Sequence, residues 1–402
     1  AVGRGRGDAE TGRLKRQSVV ELDRPTSRPK YATRESATKP PKDDKADLFQ
    51  TEIKRSATLQ GYDRFRIIRA VGNGTFGTVF RVIDMETGQM LAVKKVFVDR
   101  RYKNRELSIM QELTHTNVIR LLEFFYTTHN ERPGEVYLNL VLHFMPDTLY
   151  SLVKRVGERK ERLSWMEIKI YSFQLLRAIW YLRSLGIGHR DIKPQNVLVD
   201  HQTLHLRLAD FGSAKKIGGG GDHLAYICSR FYRAPELLLG ATRYNEAIDT
   251  WSVACVIAEM FMQYPLFVGD NSERQLHAII KCLGTPTRQE LGCLNPTFTA
   301  HHKIPTVRAL PWASVFRGRA NAEAISLLRR MLEYDPSMRI HPMHALTHEF
   351  FDDLRHYEEL PGNTETLEKI LFQWTDEEIR DAGVKVHEIF PPKLMNELHL
   401  PF

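Results

Sequence analysis

The stretch His-Arg-Asp-Ile-Lys-Pro-Gln-Asn at 189–196, followed by Asp-Phe-Gly at 210–212, decides the fold. Its eight residues hold a carboxylate, Asp191, a cation two positions on, Lys193, and a neutral oxygen donor, Asn196. A phosphoryl-transfer centre needs these groups. The carboxylate takes the proton of an attacking hydroxyl, the cation neutralises the moving phosphate, and oxygen ligands hold a hard divalent cation. Asp210, 19 residues past Asp191, is the second metal ligand. Mg2+ prefers oxygen and keeps several waters, so one carboxylate, one amide and the phosphates suffice. Ala234-Pro235-Glu236 closes the segment, with Glu236 lying 26 residues past Asp210. Taken singly, the first motif reads equally as a capped loop and the second as a turn. Their joint order and spacing leave coincidence little room.

Upstream, Gly72, Gly74 and Gly77 with Val79 give GxGxxGxV between two strand-like runs. Glycines let backbone amides approach phosphate oxygens closely. The pattern alone is weak, since dinucleotide folds share it, and a structural turn is an open alternative. In those folds a helix follows the glycines and an acidic residue comes about 20 residues on. Here a β-branched run follows, which favours a hairpin flap. Lys94 comes 17 residues past Gly77, and Glu106 comes 12 beyond Lys94 at the start of a helical segment. Such a pair would fix an ammonium against the α- and β-phosphates of a nucleotide.

The wider pattern agrees. FRIIRAVG (65–72), TVFRVIDM (78–85), QMLAVKKVFV (89–98) and VYLNLVLHF (136–144) read as strands, and KNRELSIMQEL (103–113) as a helix. From SWMEIKIYSFQLLRAIWYLRSLG (164–186) the chain turns mostly helical, with no internal repeat. Residues 1–61 hold RPTSRPK and TKPPKDDK and lack the apolar surface to offset the entropy of ordering, so they read as a disordered basic extension. In the tail, 352–402, residues 364–383 suit a helix and 388–402 have no clear period.

Over 62–351 the sequence resembles the eukaryotic protein kinases. The resemblance implies an α+β bilobal fold. A small antiparallel β-sheet lobe with one helix (about 62–142) leads through a hinge (143–146) to a larger, mainly helical lobe (147–351). It implies ATP in the cleft, held by Val71, Gly72, Asn73, Gly74, Gly77, Val79, Ala92, Lys94, Leu142 as gatekeeper, His143, Phe144, Met145, Gln195 and Leu198. Mg2+ would sit on Asn196 and Asp210, with Asp191, Lys193, Lys94 and Glu106 catalytic.

Within that superfamily KNRELSIM, EVYLNLVL (135–142), DFGSAK (210–215), YICSRFYRAPEL (226–237) and LGTPTRQEL (283–291) resemble the glycogen synthase kinase 3 (shaggy) family of the CMGC group. That family implies serine/threonine phosphorylation of substrates already bearing a phosphate four residues C-terminal to the target. Arg105, Arg190 and Lys215 match the three cations of its phosphate pocket, and Tyr226 its self-phosphorylated tyrosine. Glu236 is expected to brace Arg339, and Asp249 to orient the catalytic loop. His143, Phe144, Gly188 and Ala209 depart from the family, which commonly has Asp-Tyr in the hinge and Cys at 209, so Ala209 is expected to weaken a cysteine-directed inhibitor. Ser18, behind RLKR, would act as a pseudosubstrate when phosphorylated, although a plain solvated tail is the stronger expectation. Residues 261–303 correspond to a scaffold-peptide site, with Phe298 in place of a tyrosine.

Bulk properties narrow the rest. The 402 residues are 42% hydrophobic and 10% aromatic with a net charge of +8, enough for a real core and suited to anionic partners. Residues 1–50 carry 12 Lys/Arg against 8 Asp/Glu, and no basic stripe with interleaved aromatics follows, so nucleic acid is not expected. No run approaches the roughly 18 apolar residues of a membrane span, and no apolar leader opens the chain. Four cysteines without metal spacing read as free thiols, giving an intracellular protein in the cytoplasm, with the nucleus open. A pseudokinase scaffold conflicts with the complete catalytic set. A proline-directed kinase without priming lacks its activation-loop TxY or a PSTAIRE-like helix.

Overall fold

The computed structural model describes residues 63–74, 77–98, 104–129, 132–217, 221–296, 304–359 and 363–397. Ser18, Tyr62, residues 218–220, Phe298 and the side chain of Asn73 lie outside them. The first layer is a five-stranded antiparallel sheet. Its strands are β1 (Phe65–Gly74), β2 (Gly77–Asp84), β3 (Met90–Phe97), β4 (Leu121–His129) and β5 (Arg132–His143), in the order β1-β2-β3-β5-β4. The period of two explains which side chains reach the cleft. Leu91 and Val93 join Phe65, Val82, Phe125 and Val141 in a cluster on one face, which turns Ala92 and Lys94 to the other.

Helix α1 (Arg105–Met110) follows β3, started by Asn104, whose side chain accepts from Leu107 N–H at 3.0 Å. It is shorter than the expected 103–113. Glu112 N–H bonds to Ile109 O and Leu113 N–H to Met110 O, a tightening into three-residue spacing that ends the helix. Strand β4 has no counterpart among the strands expected from sequence. It forms as the outer partner of β5.

The remainder is mainly helical. Helix α2 spans Leu149–Glu158 and α3 spans Trp165–Ser184, the latter opened by a reciprocal Ser164–Glu167 capping box. Every residue of α4 (Ala247–Met262) is buried. β6 (Asp147–Thr148) precedes α2, and between α3 and α4 run β7 (Ile187–Gly188), the β8/β9 hairpin (Val197–Asp200 and His205–Leu208) and β10 (Lys215–Lys216), with β6 beside β8 and β10 beside β7. Arg339 meets Glu236 at 2.6 and 2.7 Å, a fully buried pair. No helix of the described residues is long and apolar enough to cross a membrane. All four cysteines are free.

The tail departs from expectation. Residues 364–383 form two helices, α5 (Thr364–Phe372) and α6 (Asp376–Ala382), and Pro392–Glu397 adds another turn. The break follows from two competing bonds. Arg177 on α3 takes the Gln373 carbonyl at 2.8 Å, and Thr375 starts a new helix with a capping box to Glu378. Glu378 then accepts from Arg177 Nε and Nη2 at 2.7 and 2.8 Å and meets His115 Nε2 at 3.0 Å. His115 Nδ1 accepts from Asn117 N–H, so the ring donates to Glu378 through Nε2. Burial alone would raise the Glu378 carboxyl, but His115 and Arg177 hold it well below the carboxylate range. Its contribution to stability is therefore full at neutral pH and fades as acid protonates it.

Replacing Glu378 with Ala leaves Arg177 buried and unpaired. Denaturant unfolding at neutral pH should show a loss of about 3–5 kcal/mol, with a flatter acid dependence than wild type.

Candidate active site

A cleft of about 1690 Å³ opens between the five-stranded sheet and the helical part. Of the expected nucleotide contacts, Val71, Gly72, Gly77, Val79, Ala92, Lys94, Leu142, His143, Phe144, Met145, Gln195 and Leu198 line it, as do Asn196 and Asp210. The surroundings of Asn73 and Gly74 lie outside what the structure describes. The two decisive glycines differ in kind. A Cβ at Gly77, whose φ is +132°, would sit 2.2 Å from Lys95 O, so the hairpin itself demands glycine. At Gly72 a Cβ would meet nothing nearer than Val79 at 3.9 Å, so the backbone does not demand glycine there and the vacancy belongs to the cleft.

The cation is set first. Lys94 Nζ bonds Glu106 Oε1 at 2.5 Å and Asp210 Oδ1 at 2.8 Å, joining β3, α1 and the Asp-Phe-Gly turn. Burial lowers the Lys94 ammonium, but the two carboxylates outweigh it and hold it charged. Burial likewise raises Asp210, and Lys94 reverses that, keeping it an anion. Asp210 sits at φ +68°, a left-handed backbone that aspartate adopts uncommonly and that the surrounding bonds must hold.

The catalytic loop is fixed from beneath. The fully buried His189 and the nearly buried Arg190 give their backbone N–H groups to the Asp249 carboxylate at 2.7 and 2.9 Å. His189 Nδ1 accepts from Asp191 N–H, so its Nε2 donates to Ala209 O at 3.0 Å and ties the loop to the metal-ligand segment. Asp191 is gripped on both oxygens. Lys193 Nζ at 2.7 Å and Asn196 Nδ2 at 3.2 Å hold Oδ2, and Ser229 N–H and Oγ–H at 2.9 and 2.8 Å hold Oδ1. Lys193 Nζ also reaches Ser229 Oγ at 3.1 Å. Sequence reading passed over Ser229, because it lies 38 residues from Asp191 and only the fold brings them together.

The residues present suit a nucleotide with a divalent cation. Asn196 spends its amide N–H groups on Asp191, which leaves its Oδ1 as a donor beside the Asp210 carboxylate, a hard oxygen set. Val79, Ala92 and Leu198 supply apolar walls for a flat ring.

The three expected phosphate-reading cations occupy neighbouring segments. Arg190 Nε donates to Ser213 O at 2.7 Å and Nη1 to Tyr244 Oη at 3.2 Å. Lys215 pairs in register with Gly188 and bonds His223 Nδ1 at 2.8 Å. Arg105 is exposed on α1, which packs against Phe211–Ser213. Among the described residues no carboxylate pairs with any of the three. Tyr226 is 77% exposed with the Arg233 guanidinium 4.5 Å from its ring, an open position rather than a buried one. At Gly188 a side chain would meet Ile217 Cδ1 at 2.1 Å, so Ile217 fills the room that this departure leaves.

A family model described as "Protein kinase domain" matches residues 65–351.

The two glycines should separate on substitution. Gly77→Ala should destabilise the protein by about 1–3 kcal/mol through backbone strain. Gly72→Ala should unfold within about 0.5 kcal/mol of wild type yet weaken nucleotide binding. Thermal unfolding and nucleotide titration of both variants check this.

Proposed function

Because the chain belongs to the protein kinase family, and so transfers phosphate from ATP to proteins with a divalent metal, we propose a serine/threonine kinase of the glycogen synthase kinase 3 type. Its preferred substrates carry a phosphate four residues C-terminal to the acceptor. The observation carrying this reading is the set of Arg105, Arg190 and Lys215 around the Phe211–Lys215 turn, with no carboxylate partner among the described residues. Two arginine forks and an ammonium suit a dianionic phosphate, which would also relieve their mutual repulsion.

The other groups take roles that follow from their positions. Asp191 receives the proton of the acceptor hydroxyl as that oxygen bonds to the γ-phosphorus and the bond to the ADP oxygen breaks. Ser229 and Asn196 keep its carboxylate aimed, and Lys193 neutralises the moving phosphoryl group. Lys94 holds the phosphates, steadied by Glu106. Asn196 and Asp210 hold the cation, taken as Mg2+, which draws charge from the phosphate oxygens when bound. The exposed Tyr226 is the self-phosphorylation site of this reading. A scaffold helix along 261–303 belongs to the same reading, supported by exposed Tyr264 and Val268, and so does a cytoplasmic location.

Comparing an S-x-x-x-pS peptide with its unprimed twin tests the proposal. The primed peptide should react faster, and Arg105→Ala should erase that advantage while sparing the unprimed rate. Equal wild-type rates would refute priming and favour a proline-directed kinase. Asp191→Asn should abolish turnover of both peptides without loss of nucleotide binding; retained turnover removes Asp191 as the base.

A further inference from the structure

Buried polar atoms without partners call for an explanation. Two of them in this protein belong to neighbouring side chains, His143 Nδ1 and Arg207 Nε. Strand register brings a third group to the same place. Leu121 opposes Leu142 in the β4/β5 ladder, which places Arg120, just before β4, near His143 at the end of β5, close enough to act on its charge. From the other side, residue 119 bonds Leu208 O at 2.9 Å, and Leu208 N–H bonds Asn117 O at 2.8 Å. That anchors β9, and Arg207 with it, beside the same segment.

The charge at this spot is one-sided. Burial pushes the Arg207 guanidinium down, and no carboxylate offsets it. Burial, Arg207 and Arg120 all press His143 towards its neutral form. Among the described residues neither arginine has a hydrogen-bonded or ionic partner, and neither lines the nucleotide cleft. A half-buried guanidinium without a counter-charge is costly to keep, and a nearby anion is the direct remedy.

We propose that Arg120, His143 and Arg207 form an oxyanion site beside the linker 143–146, taking a phosphate-class anion. Two planar forks and an imidazole match the several acceptor oxygens of such an ion. Arg120 leads into β4 and Arg207 lies on β9, so the anion ties the upper sheet to the lower hairpin across the linker. The site is independent of the primed-substrate reading.

The test follows the His143 ring resonances in the 402-residue chain, assigned by His143→Gln. Inorganic phosphate is titrated at fixed pH, with chloride matching the ionic strength. The His143 signal should move saturably, and equally in an Arg105→Ala background that disables the other cationic cluster. Arg207→Gln should weaken the response roughly tenfold or more, and Arg120→Gln, an exposed change with little folding risk, should weaken it also. A parallel titration uses O-phosphoserine. Tighter saturation by it supports a phosphoryl group carried on a side chain, and tighter saturation by phosphate supports the free ion. No saturable movement, an equal response to chloride, or an undiminished response in both arginine variants overturns the site and leaves only water in the gap.

Discussion

The ammonium of Lys94 is the constraint around which the rest is arranged. It is 7% exposed and held by carboxylates from two segments distant in sequence, Glu106 at 2.5 Å and Asp210 at 2.8 Å. A buried cation with one partner missing would cost several kcal/mol, of the order of 3–5. Each supporting element must therefore be in register: β3 to turn Lys94 inward, Asn104 to start α1 so that Glu106 faces it, and a left-handed Asp210 to aim its carboxylate. Geometry in the cleft is thus enforced by an electrostatic penalty on every alternative.

The catalytic loop obeys the same logic with different groups. Asp249 sits in the buried α4 and consumes two backbone N–H groups, of His189 and Arg190, that no strand or helix satisfies. Without them Arg190 could not hold its φ of +66° beside the fixed His189. The rigidity of Asp191 is inherited from a helix one layer deeper.

How far the sequence could be read depended on how local each feature is. The groups at 189–196 and 210–212 are contiguous and chemically unusual together, so that cluster could be read from spacing, whereas the nucleotide contacts and the three cations were expected only from the resemblance. Strand β4 was not, because LLEFFYTTH lacks alternation and owes its state to pairing with β5. Nor was the insertion of β5 between β3 and β4, a matter of topology. Ser229, Tyr244 and His223 acquire their roles through contacts across the fold. The break at Gln373 needed knowledge of Arg177, nearly 200 residues earlier, since residues 364–383 carry a helical pattern throughout.

That long-range pairing bears on what should be called the domain. The matched family interval ends at residue 351, yet Arg177 and Trp180 in the central helix find their side-chain hydrogen-bond partners beyond it, at Gln373, Glu378 and Asp381. A fragment cut at 351 would keep every catalytic group and still strand a guanidinium in its interior. The interval that matches the family and the interval that answers its own buried charges end at different residues. Here the second is longer, because its boundary falls where the last buried charge is answered.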